Sequence, residues 1–136
     1  MTALKEFTPI RTDLIIDEEI LKMKSLSKYT KTYNTETRPR QSSISQRFHN
    51  AVKNFLKKHF PNAGRFPSPG DNIDEYHAQV KDDEVIIRAS IFEDPYNLNY
   101  KKCVEIKINL QNYSFTMTKQ AIYNNYNNVK VFLDFK

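Results

Sequence analysis

The stretch Ser43–Phe60, SISQRFHNAVKNFLKKHF, decides how the rest of the chain is read. Its apolar residues Ile44, Phe48, Ala51, Val52, Phe55 and Leu56 recur at i, i+4, i+7, i+8, i+11 and i+12. At roughly 100° per residue that spacing gathers them on one stripe of a helix. The opposite arc carries Arg47, His49, Asn50, Lys53, Asn54, Lys57 and Lys58. One side is therefore expected to bury against a core while the other presents cations and amides to water. Ser43 and Gln46 have the spacing of a capping box, Lys57, Lys58 and His59 suit the negative end of the helix dipole, and Pro61 stops the run.

At 136 residues, 39% hydrophobic and 12% aromatic, the chain is one domain's worth with enough apolar surface for a modest core. Its many Lys, Asn, Ile, Tyr and Phe residues are types that A/T-rich codons encode, as in the genome of a phage or a low-GC bacterium. The single cysteine, Cys103, leaves no intramolecular disulfide, and neither it nor His49, His59 and His77 has metal-ligand spacing. No apolar run approaches the length of a membrane span, and no secretory leader is visible. The expectation is a cytoplasmic protein that needs no membrane, metal or cofactor.

Charge is segregated along the chain. Residues 22–65 carry eleven basic residues against the single acid Glu36, a net +10, whereas residues 66–99 sum to −6. Concentrated positive charge of this kind is what a polyanion-binding surface requires.

Residues 1–28 read as an extension holding a short helix from Asp17 to Leu26, with Ile16, Ile20, Met23 and Leu26 on its inner stripe. Residues 29–42, YTKTYNTETRPRQS, contain no aliphatic side chain and read as a basic, flexible linker, since they cannot bury enough apolar surface to offset ordering. Residues 43–136 form the main α+β domain. After the turn-rich residues 61–72 the period changes to two. Glu75–Lys81 and Glu84–Phe92 alternate around Asp82-Asp83 as a hairpin, and Lys101–Leu110 alternates again. Tyr113–Met117 reads as a fourth strand, Thr118–Asn127 as a short helix and Val129–Phe135 as a last strand. The expected fold is a mostly antiparallel sheet of four to five strands with one long amphipathic helix on one face, in the order α-α-β-β-β-β-α-β.

Three constellations carry chemistry. The first is the cationic arm and helix face, Arg38, Arg40, Arg47, Asn50, Lys53, Asn54, Lys57, Lys58 and Arg65. Spaced cations suit phosphates, and the interleaved amides can add hydrogen bonds to bases. The second is Glu105-Ile106-Lys107 on the third strand, following the acids around Asp83; an acid followed by E-x-K on a neighbouring strand resembles the core of the PD-(D/E)xK nucleases. That resemblance implies carboxylates holding a divalent metal and a lysine that helps activate water; the extra strand at Tyr113–Met117 departs from that family's pattern. The third is a metal-independent ribonuclease site drawing on His77, Lys81, Arg88 or Lys119.

The sequence points first to a small non-catalytic nucleic-acid-binding protein, DNA or RNA, in an accessory or regulatory role such as a viral accessory protein. The alternatives are an adaptor or inhibitor that docks on a larger host protein through residues 12–28 and the acids Asp71, Asp74, Glu75, Asp82, Asp83, Glu84, Glu93 and Asp94, and a small nuclease of one of the two types above.

Overall fold

The computed structural model describes residues 16–27, 32–35, 43–60, 73–94 and 97–135. Three helices and five strands are assigned within them: α1 (Glu18–Ser27), β1 (Thr32–Thr35), α2 (Ser43–His59), β2 (Ile73–Lys81), β3 (Glu84–Asp94), β4 (Asn97–Asn109), β5 (Phe115–Tyr123) and α3 (Tyr126–Leu133). The strands form one antiparallel sheet in the order β1-β2-β3-β4-β5, so each pairs with its neighbour in sequence. This is an α+β architecture. The short β1 falls within the stretch expected to be a linker; it pairs with β2 from Thr32 opposite Lys81 to Thr35 opposite Ala78.

Alternation sets the two faces of the sheet. Tyr76, Ala78 and Val80 of β2, Val85, Ile87, Ala89 and Ile91 of β3, and Val104, Ile106 and Ile108 of β4 all point one way and are buried. Helix α2 lays Phe48, Ala51, Val52, Phe55 and Leu56 onto that face, and α1 adds Ile20, Met23 and Leu26 beside it. Ile16, expected on the same stripe as these three, is 41% exposed instead, because α1 begins two residues later. His49, expected on the watery arc of α2, is also buried: its Nε2 lies 2.8 Å from the hydroxyl of Tyr76, and the two rings stack. A histidine that meets a tyrosine hydroxyl can enter a core that would reject it unpaired.

The expected order fails at the C-terminal end. Where residues 118–127 were expected to be helical, β5 continues to Tyr123, and where 129–135 were expected to be a strand, α3 forms. Two local contacts decide this. Thr118, read as a helix cap, sits at a register shift and donates its hydroxyl to Glu105 Oε1 at 2.8 Å, so it serves the sheet. The cap is Asn125, whose Oδ1 accepts from the amides of Asn127 (2.8 Å) and Asn128 (3.3 Å). Val129, Val131, Leu133 and Phe135 fit a two-residue period, but Val129, Phe132 and Leu133 also fit a helical one. They bury with Cys103 and Tyr123 on the second face of the sheet. The sheet is thus covered by α1 and α2 on one side and in part by α3 on the other.

The two helices on the first face run antiparallel and are clamped at one end. Asp17 accepts the Glu19 amide at 2.8 Å, capping α1, and its carboxylate also takes Lys58 at 3.2 Å and His59 at 3.0 Å from the last turn of α2. Burial pushes the Asp17 carboxyl up, but the bonds from His59, the Glu19 amide and Lys58 outweigh it and hold the carboxyl below its ordinary value. Asp17→Ala should therefore cost about 1–2 kcal/mol near pH 6, the usual range for a lost cap. A group whose folded pKa is depressed stabilises fully above its unfolded value, about 3.9, and loses that contribution as pH falls through the folded value. Urea unfolding of the native and Asp17→Ala proteins should accordingly give curves that separate near neutrality and converge in strong acid.

Candidate nucleic-acid interface

The cationic residues predicted on α2 separate into two groups. Lys58 is turned toward Asp17 at the end of the helix pair. Arg47, Lys53 and Lys57 have no carboxylate within 4.0 Å among the described residues, and Asn50 and Asn54 are exposed beside them. Arg38, Arg40 and Arg65 lie outside the described residues, as does the side chain of the predicted cap Ser43.

Helical geometry places Arg47, Asn50 and Asn54 along the border of α2 that meets α1. There they line a groove of about 350 Å³ with Glu19, Lys22, Ser25 and Leu26 of α1, floored by Ala51. The walls are polar: an arginine, a lysine and two amides that both donate and accept. Sequence reasoning found the α2 wall from its charge. On the α1 wall Lys22 belongs to the same basic run, residues 22–65, whereas Ser25 carried no signal, and only the antiparallel packing of the helices brings the two opposite Arg47.

Three acids of the middle segment, a second candidate surface, are engaged within the molecule. Asp74 accepts Lys101 at 2.8 Å and Ser90 at 3.2 Å, Glu75 meets His77 at 3.0 Å, and Asp83 accepts Gln111 at 2.9 Å and faces Lys24 at 3.9 Å. Their charge secures the sheet and the helical layer to each other.

The residues behind the nuclease readings fall on the second face. His77, Arg88, Glu105 and Lys119 stand opposite one another on β2, β3, β4 and β5, one continuous row across four strands. Arg88 holds the row in place. Its Nε donates to Glu105 Oε2 at 2.8 Å, its Nη1 to the carbonyls of Asp134 (2.6 Å) and Phe132 (3.4 Å), and its guanidinium lies 4.3 Å from the centre of the Phe135 ring. Burial pushes the Glu105 carboxyl up, but the hydrogen bonds from Arg88 and Thr118 and the charges of Arg88 and Lys107 outweigh this and hold it below its ordinary value. Lys119 lies 5.4 Å above the ring of Phe132. The geometry is that of a bolt fastening α3 to the sheet, with both Glu105 oxygens taken.

Asp83 is not brought to Glu105. It sits in the hairpin turn, where its neighbour Glu84 pairs with Asn109, four residues along β4 from Glu105, or roughly 13 Å at ~3.3 Å per residue. Lys107 remains exposed on the same face as Glu105. Among the described residues no three of His, Cys, Asp and Glu converge as ligands for a cation. Cys103 is buried under α3, and burial pushes its thiol up to about 11, away from the nucleophilic thiolate.

Comparison with protein-family models, with curated proteins and with solved structures returned no match. No helix among the described residues is long and apolar enough to cross a membrane.

The bolt makes its own prediction. Arg88→Ala leaves Glu105 partly buried without its cation and frees the C-terminal carbonyls of α3, so it should cost about 2–3 kcal/mol, less than a fully buried pair would. Hydrogen exchange should show lost protection at Val129–Leu133 while β3 and β4 keep theirs; uniform loss across the sheet would mean that Arg88 supports the whole core.

Proposed function

We propose that the protein binds nucleic acid without catalysis, in an accessory or regulatory role, through the face formed by the α1–α2 groove and the adjoining lysines of α2. The observation that carries this is the groove lined by Arg47, Asn50 and Asn54, three of the residues expected to contact nucleic acid, facing Lys22 and Ser25. Lys53 and Lys57 extend the same surface along the helix. Two cation types at stepped positions suit successive phosphates, and amides set between them suit base edges. Arg38 and Arg40, which precede α2 in sequence, would extend the contact along the strand.

A second reading, a protein-binding adaptor or inhibitor, draws support from a different place. β5 is one of the two edge strands of the sheet among the described residues, and Phe115, Met117 and Ile122 on it are 41–58% exposed. An edge of this kind accepts an added strand from a partner. Retention of a protein partner after nuclease treatment in a pull-down supports this reading, and loss of all partners after nuclease supports the first.

Gel-shift titrations of single-stranded oligonucleotides at several salt concentrations test the leading proposal. Each phosphate contact on a single strand contributes about −0.7 to the slope of log affinity against log salt. Removing Lys53 and Lys57 together should flatten that slope by roughly 1.4. Binding indifferent to salt, or a double variant with the native slope, would contradict it.

A further inference from the structure

The groove between α1 and α2 holds one group that phosphate binding leaves unexplained. Glu19 lines it, yet its side chain is only 9% exposed, and its Oε1 is buried with no hydrogen-bond partner. The other oxygen, Oε2, faces Lys22 at 3.6 Å, beyond hydrogen-bond range, and the Lys22 side chain is itself 54% exposed. The dipole of α1 favours an acid in its first turn, but the exposed Glu18 already meets that preference. Nothing in the packing requires a carboxylate to be buried one turn away from water with an unused acceptor, and buried acceptors without donors are rare in folded proteins.

We propose that Glu19 is the base-reading residue of this groove and that it selects an unpaired guanine; this rests on the nucleic-acid reading above. An ionised carboxylate only accepts hydrogen bonds. Guanine is the one common base whose Watson–Crick edge offers two adjacent donors, N1–H and the N2 amino group. Adenine and cytosine set a ring acceptor beside their amino group, and thymine or uracil flanks its one N–H with carbonyls, so each would direct a lone pair at the carboxylate. A change of rotamer about the inner torsions of Glu19, as the loosely held Lys22 moves aside, turns both carboxylate oxygens toward the groove. Asn50 and Asn54 on the opposite wall can donate to the O6 carbonyl, and Arg47 remains for the adjoining phosphate. A groove of about 350 Å³ has room for one base.

The test is fluorescence anisotropy with the full chain and oligothymidylate strands that carry guanine, hypoxanthine, adenine, cytosine or thymine at the centre, with ribonucleotide versions of the guanine and uracil strands. The guanine strand should bind roughly tenfold more tightly than the all-thymine strand, in the range of a hydrogen bond to a charged acceptor. Hypoxanthine, which lacks the amino group, should lose most of that advantage, and Glu19→Gln should reduce the guanine-to-thymine ratio below about threefold. If Glu19→Gln does not fold, as a circular-dichroism melt will reveal, the guanine and hypoxanthine strands on the native protein still decide the matter. Equal binding of all strands would overturn the guanine assignment and leave nucleic-acid binding standing; no binding of any strand would overturn both. Free GMP, which keeps one phosphate but lacks the rest of the backbone, should bind at least about tenfold more weakly than the strand. Equal binding of GMP would overturn the assignment to a strand.

Discussion

The structure depends on one constraint: the apolar face of β2, β3 and β4 is too wide for a single helix to cover. Helix α2 buries Phe48, Val52, Phe55 and Leu56 there together with the small Ala51, and α1 must lie alongside to cover what remains. Burial of this kind is worth about 1.5–3 kcal/mol for each large side chain. It far exceeds what any surface ion pair contributes. The antiparallel helix pair, and with it the groove along its seam, follows from covering the sheet. Asp17 then fixes the pair at one end, where it caps α1 and holds the last turn of α2. At the other end, Lys24 of α1 reaches toward Asp83 in the hairpin turn.

The same constraint sorts the charges. Cations at the edges of the helical layer find carboxylates, and Lys22 in the seam stands 3.6 Å from Glu19, whereas those along the outer surface of α2 have none within 4.0 Å among the described residues. Lys58 goes to Asp17 and Lys24 toward Asp83, while Arg47, Lys53 and Lys57 face outward. The positive surface is therefore shorter than the run of lysines suggests, but more sharply bounded. On the second face the polar row from His77 to Lys119 has a different purpose. Arg88 ties Glu105 to the carbonyls that end α3, so the most heavily bonded polar group of the sheet secures a helix.

Much of the fold was legible because its periods are clean. Phe48 to Leu56 can sit on one face only as a helix, and Val85 to Ile91 only as a strand, so α2 and the β2–β3 hairpin followed directly. The exchange of helix and strand after Met117 was not legible, because Val129, Val131, Leu133 and Phe135 satisfy both periods and Thr118 has a hydroxyl that can cap a helix or brace a strand. The outcome turned on Asn125, one residue whose amide oxygen finds two helix amides. His49 misled for a similar reason: its polarity placed it in water until Tyr76, 27 residues away, supplied a partner. The α2 wall of the groove was visible as charge and amide spacing. Glu19 was visible only as an acid at a helix start, since its burial is a product of helix packing that no local pattern encodes.

The account stands or falls on whether the seam between α1 and α2 is where nucleic acid sits. Backbone amide chemical shifts followed by NMR during titration with a single-stranded oligonucleotide test this most directly. The account predicts that the largest changes cluster at Lys22, Ser25, Arg47, Asn50 and Asn54, continue to Lys53 and Lys57, and leave β5 and α3 unmoved. Changes centred on Arg88, Lys119 and α3, or none at saturating strand, would contradict it.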